Sequence, residues 1–283
     1  ARDLANVAWA FAVAGDSRRL LVAVSTAALR KIDDFDSSSL TRIAAAYALA
    51  ETGGSASELL EAVSAKAVEQ LAAFEASDAV NLVWAFSLVG SKTAGAGRAV
   101  PFAAVLEAAA SLEDSAFGLD SAVVSNVDEL VKLHFTLIHL RLAAPNHALA
   151  VKLGSHAPRL RAAYTSREEE VVADGVKRDV SAALYGIGWR HVFARVTDEG
   201  LRLDAANEDL KIALEVEDDS EKDEKDGFAG GGYGKRAKDG EAAFKRRLLR
   251  SLGWTVLRVP RNEWLALPPD RRADYLRAKV GAK

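Results

Sequence analysis

Four segments in the first half carry one pattern, and that repetition limits the possible folds more than any other feature. They begin at Asp3, Ser39, Asp78 and Glu129 and read DLANVAWAF, SLTRIAAAY, DAVNLVWAF and ELVKLHFTL. Each places apolar residues at i, i+3 and i+7, and three add a small or apolar residue at i+4. In the first segment these are Leu4, Val7, Ala8 and Phe11. This spacing puts them on one face of a helix. An aromatic recurs at i+5 as Trp9, Trp84 and Phe135, as expected of packing between repeats. Asp3, Ser39 and Asp78 precede the apolar run, where caps and the helix dipole favour such residues. Gly15, Gly53 and Gly90 follow as expected helix stops.

A second apolar stripe lies between successive copies. Leu20, Val24 and Ala28 form one; Leu60, Val63, Ala67 and Leu71 another; Phe102, Val105, Leu106, Ala109 and Leu112 a third. Phe35 and Phe74 sit in the connections. The unit is therefore a helical hairpin. Copies starting at Leu4, Leu40 and Ala79 are 36 and 39 residues apart, and the next step, to Leu130, is 51. The longer step predicts an insertion near Gly95–Gly97 or within 114–125. Paired helices at this period predict an α-solenoid. Residues 1–160 are assigned to it, and the array is expected to be incomplete at its N-terminal side.

Composition supports helix: alanine is frequent and only 6 prolines occur. The formal net charge is −3, so nucleic-acid binding would have to rest on local patches. There is no cysteine, which excludes disulfides and thiolate metal sites. No charge-free apolar run approaches the ~20 residues that span a membrane, and no membrane partner is expected. His134 and His139 lie five apart, which is not a metal spacing on one helix face. The sequence contains no P-loop, GxGxxG or Ser-His-Asp arrangement.

The last third changes character. Residues 143–166, with two prolines, read as the end of the array, and Ser166 reads as the cap of a helix running to Tyr185. Residues 191–196, 201–204 and 211–217 then alternate like strands. Residues 218–240 are charged and glycine-rich and read as a disordered loop. A helix over 240–252, a strand over 254–259 and a helix over 271–280 follow. On the strand 211–217, Ile212, Leu214 and Val216 face one side and Glu215 and Glu217 the other. If the strand carrying Asp204 pairs with it, Asp204 and Glu215 converge. Converging carboxylates can hold Mg²⁺ and activate water against a phosphodiester. Residues 235–283 carry a marked positive excess, with Lys245, Arg246, Arg247 and Arg250 on one helix and Arg258 and Arg261 beyond it. These six are the candidate RNA contacts. Arg18, Arg19, Lys66 and Arg98 are further candidates on the array.

The segment FKRRLLRSLGW (Phe244–Trp254), with Val259-Pro260 and Glu263-Trp264, resembles the C-terminal half of a RAP domain. That resemblance implies a small α/β domain over residues 167–283 with a fold like the restriction endonucleases. It places an Asp at Asp204 and an acidic residue at Glu215. The wider nuclease fold has lysine where this chain has Glu217. The repeats resemble the octatricopeptide, heptatricopeptide and FAST-kinase-like arrays. Together the two resemblances imply an RNA-binding protein of mitochondria or chloroplasts, acting in RNA processing, stability, splicing or translation. Its partners would be single-stranded organellar RNA and other RNA-processing proteins, and no cofactor is expected. The alternatives are an Mg²⁺-dependent RNA endonuclease using Asp204, Glu215 and Glu217, with Asp204 and Glu215 as the metal ligands, and a non-catalytic protein scaffold.

Overall fold

The computed structural model describes residues 1–14, 18–50, 57–93, 103–120, 126–172, 174–217 and 235–281. Among them are thirteen α-helices and one four-stranded mixed sheet near the C-terminus. They divide into two compact units, Ala1–Ala163 with Tyr233–Phe244, and Tyr164–Gly232 with Lys245–Lys283.

The first unit stacks helical hairpins in two layers. Helices α1 (Arg2–Ala14), α3 (Ser37–Leu49), α5 (Ala76–Thr93) and α7 (Val127–Ala143) pack in succession in one layer. Helices α2 (Arg18–Leu29), α4 (Ser57–Gln70), α6 (Ala103–Ala110) and α8 (Ala148–Ser155) do the same in the other, each against its hairpin partner. The repeat segments supply the first layer. Because α3, α5 and α7 have neighbours on several sides, they are buried nearly all round; Leu40, Ile43, Leu82, Trp84, Phe86 and Phe135 are each at most 2% exposed. The second stripe fills the other layer through Leu21, Val24 and Ala28, through Leu60, Val63 and Ala67, and through Val105, Leu106 and Ala109. Phe35 and Phe74 are buried where 3-10 turns join the hairpins.

Several local expectations give way. On α1 the buried stripe is Ala5, Ala8 and Ala12, while Val7 and Phe11 are exposed. Among the described residues helix α1 packs in its layer mainly against α3, through a face of small alanine side chains. Asp36, not Ser39, caps α3 by accepting from the Ser39 N–H at 2.9 Å. Gly90 lies inside α5 rather than ending it, with the His139 ring against the place a Cβ would take. Ser166 is internal to α9 (Ala157–Val172), and the next helix starts instead at an Asp174 cap. The extra residues before α7 include a 3-10 turn, Asp114–Phe117, that buries Phe117. Gly15, Gly53, Gly95–Gly97, Arg98 and the loop over 218–234 lie outside the described residues.

The second unit is built on the sheet. Its strands β1 (Val192–Val196), β2 (Arg202–Asn207), β3 (Ile212–Glu217) and β4 (Thr255–Pro260) lie in that order. The first two pairings are antiparallel and β3–β4 is parallel. The parallel step needs a crossover, and α11 (Lys235–Ser251) supplies it. That helix begins at Lys235, five residues before the expected start. Helices α10 (Gly175–Gly186), α12 (Arg261–Ala266) and α13 (Pro269–Val280) complete the chain. Ala205, Leu214, Val216 and Val259 from the sheet form a core with Val180 and Leu184 of α10, Trp264 of α12 and Leu276 of α13. This is the face that strand alternation assigned to Ile212, Leu214 and Val216. No helix among the described residues is long and apolar enough to cross a membrane.

Candidate functional site

The β2–β3 ladder pairs Ala205 with Leu214, Ala206 with Ala213 and Asn207 with Ile212. One step further, this register sets Asp204 opposite Glu215, so the two carboxylates do converge. There the main-chain ladder gives way to side chains. Asp204 Oδ2 accepts from the Val216 N–H at 2.8 Å, and Glu215 Oε1 accepts from the Asp204 N–H at 3.3 Å. Each remaining oxygen meets a lysine. Lys177 Nζ on α10 lies 2.8 Å from Asp204 Oδ1, and Lys245 Nζ on α11 lies 2.6 Å from Glu215 Oε2. Asp204 and Glu215 are buried, and both lysine side chains are 14% exposed.

Burial pushes the Glu215 carboxyl up to about 7, with Lys245 pulling it back and Asp204 adding to the rise. Desolvation favours the uncharged acid, and the lysine only partly offsets it. Glu217 stands two residues on, bonded to both Arg246 and Arg258. Desolvation also lowers the pKa of the half-buried Arg246 guanidinium, against the pull of Glu217.

A second set of ion pairs runs along α10. Asp174 accepts the Val176 N–H at 2.8 Å as the helix cap. The same carboxylate takes both arms of Arg261, at 3.0 and 2.5 Å. Asp179 receives Arg272 at 2.5 Å and the Trp264 indole N–H at 2.9 Å. Arg272 also lies over the Trp264 ring, 5.0 Å from its centre.

The structure thus sorts the six basic candidates. Lys245, Arg246, Arg258 and Arg261 are each held by a carboxylate of the same unit. Arg247 is partly buried, and Arg250 is exposed near the end of α11. Arg271 and Arg277 on α13 are also exposed. On the array, Lys66 is paired with Asp33 and Glu69, whereas Arg19 is exposed.

The three acidic candidates Asp204, Glu215 and Glu217 lie along one edge of the β2–β3 fork, but their oxygens are occupied. Each oxygen of Asp204 and Glu215 already accepts from a main-chain N–H or a lysine, and each oxygen of Glu217 from an arginine. Mg²⁺ needs free carboxylate oxygens at about 2.0–2.1 Å. With a lysine ammonium on each, Asp204 and Glu215 do not present the uncompensated carboxylate pair that suits Mg²⁺. No group of three metal-ligating side chains occurs among the described residues.

Sequence spacing had no place for Lys177. It sits 27 residues from Asp204, and only the packing of α10 on the sheet joins them. The one available signal was a lysine just after the Asp174 cap, next to Val176, which packs against the core.

A family model for the RAP domain matches residues 232–279, which takes in α11, β4, α12 and most of α13. RAP domains are generally RNA-binding domains, and this agrees with an RNA-related function. No curated protein matches the chain.

Proposed function

We propose that this chain is an organellar RNA-binding protein of the octatricopeptide, heptatricopeptide or FAST-kinase-like kind, acting in RNA processing, stability, splicing or translation. The RAP match on residues 232–279, following a stack of helical hairpins, carries this reading. In it, the stacked hairpins are an α-solenoid whose polar helix positions track single-stranded RNA. The C-terminal unit, with a fold like the restriction endonucleases, contacts phosphate through the cations that its own carboxylates leave exposed. Arg250 is the clearest of those cations; Arg271 and Arg277 are exposed as well, each beside a surface carboxylate, Asp270 and Asp274. Phosphate neutralisation by such residues gives affinity without sequence preference. Sequence choice then falls to the helical array, because bases of single-stranded RNA are open to side chains. Binding of other RNA-processing proteins belongs to the same reading.

The Lys177–Asp204 and Lys245–Glu215 pairs argue for a structural use of the carboxylates, in place of a Mg²⁺-dependent nuclease. Crosslinking the protein to RNA in purified mitochondria or chloroplasts, followed by sequencing, tests the proposal. Enrichment of a limited set of organellar transcripts is expected. Recovery of no organellar RNA would overturn it. Mg²⁺-dependent cleavage lost on Asp204→Ala and Glu215→Ala would instead establish the nuclease.

A further inference from the structure

The corner between α10 and β1 carries three aromatic rings in contact, outside the segment that matches the RAP model. The His191 ring lies 4.1 Å from the Tyr185 ring at 31°, and 5.4 Å from the Trp189 ring at 25°. Trp189 is 7% exposed and belongs to the core, while Tyr185 is 57% exposed. The group therefore runs from a buried anchor to a ring that faces solvent.

Its geometry is fixed by hydrogen bonds. His191 Nδ1 lies 3.0 Å from the Trp189 carbonyl, which can only accept, so Nδ1 carries the proton. Nε2 is then the acceptor, and the Ser181 hydroxyl donates to it at 2.8 Å. The Tyr185 hydroxyl donates to the His191 carbonyl at 3.2 Å, tying the outer ring to the same frame. Burial lowers the His191 pKa, which favours a neutral imidazole in this stack. Two bonds on one imidazole and a third on the tyrosine hold these side chains in place before any ligand arrives, which limits the entropy lost on binding.

The surroundings are basic. Arg178, Ala182 and Tyr185 are exposed and spaced i, i+4 and i+7 along α10, so they share one helix face. Arg190 is exposed beside the ring cluster, and Val192 is 49% exposed. No acidic residue occurs from Val180 to Thr197. An exposed, pre-positioned aromatic flanked by arginines matches the chemistry of a single-stranded nucleic acid, whose bases stack while its phosphates meet cations. A peptide or lipid partner would call for a wider apolar surface than one ring and one valine.

The geometry points to Tyr185, backed by His191 and Trp189, as a stacking platform for one unpaired RNA base, with Arg190 and Arg178 on the flanking phosphates. This site rests on the RNA-binding reading and adds a base contact to it. The test uses the full chain and a single-stranded RNA of mixed sequence carrying 2-aminopurine, read by anisotropy and by quenching of the modified base. Binding with quenching is expected for the native chain. Tyr185→Leu keeps apolar bulk but loses the ring face, and should weaken binding about 5- to 100-fold and abolish most of the quenching. Tyr185→Phe keeps the ring and should bind within about twofold of the native chain, which separates stacking from the hydroxyl bond. Arg190→Glu should weaken binding and leave the residual quenching in place. If the native chain binds RNA and Tyr185→Leu binds and quenches equally, the platform is overturned while the RNA reading stands. If the native chain binds no RNA, both fall.

Discussion

Glu215 is the carboxyl that the fold moves furthest from its ordinary behaviour. Its carboxyl rises from 4.5 to about 7 because it is buried, in spite of Lys245. A carboxyl with a raised folded pKa holds its proton more tightly in the fold than in the unfolded chain. The resulting stability is complete below pH 4.5 and is lost as the pH climbs through about 7. Carbon-detected NMR of the glutamate side chains should therefore show one carboxyl titrating near neutrality, and Glu215→Gln should remove it. A titration confined to the usual carboxylate range would refute the assignment. The partner gives a second prediction. At about pH 9, where Glu215 is ionised in the native chain, Lys245→Met strands a buried carboxylate or forces it to take up a proton, and should cost roughly 2–3 kcal/mol in urea unfolding. Adding Glu215→Gln, which keeps an oxygen for the Asp204 N–H, should recover most of that loss. If the double variant is no more stable than Lys245→Met, the cost lies in lost packing and not in the stranded charge.

At the scale of elements, the fork between β2 and β3 has a counterpart on β1. The β1–β2 register pairs Phe193 with Ala205 and Arg195 with Leu203, which sets Ala194 opposite Asp204. Ala194 has φ of +53°, in the left-handed region that a Cβ disfavours. Ala194→Gly should raise stability by up to about 1 kcal/mol, and Ala194→Val should lower it. Thermal unfolding of the two variants measures this; equal destabilisation by both would show that the backbone is not strained there. No pattern in the sequence marks this position, because a lone alanine in an alternating strand carries no sign of φ. The elements with strong periodicity were legible: the repeat helices, the two-sided strand 212–217 and the basic helix before Trp254 all occur. The convergence of Asp204 with Glu215 followed from alternation on the condition that their strands pair, which they do. Helix limits were not legible where a second signal competed. Ser166 looked like a cap, yet the helix runs through it because Asp174 caps the next one and is held there by Arg261. The ion-pair partners were hidden for a related reason. Lys177 and Asp204, or Arg261 and Asp174, are joined by the packing of helices on the sheet and not by local spacing.

For the whole molecule, charge decides how RNA could bind. The chain carries a formal net charge of −3, so its overall field does not attract RNA. Residues 245–283 hold eleven Lys or Arg against three Asp or Glu. Five of these cations, Lys245, Arg246, Arg258, Arg261 and Arg272, are engaged by carboxylates from Asp174 to Glu217, outside that segment. The apparent basic patch is thus partly internal, and the number of phosphate contacts must be smaller than the sequence suggests. Binding constants measured across a series of salt concentrations test this directly. For single strands the slope of log K against log salt is about −0.7 for each phosphate neutralised. Arg250→Gln should weaken RNA binding and flatten that slope by about 0.7, while leaving stability within about 0.5 kcal/mol. Glu217→Gln removes a carboxylate that holds both Arg246 and Arg258, and should free cations to act on RNA. Its slope should therefore steepen, even as the protein becomes less stable to urea. If Arg250→Gln leaves the slope unchanged, the phosphate contacts lie elsewhere. If Glu217→Gln flattens the slope instead, the pairing of Arg246 and Arg258 with Glu217 is part of the RNA-binding surface, where the two arginines and their carboxylate act together to present the charge.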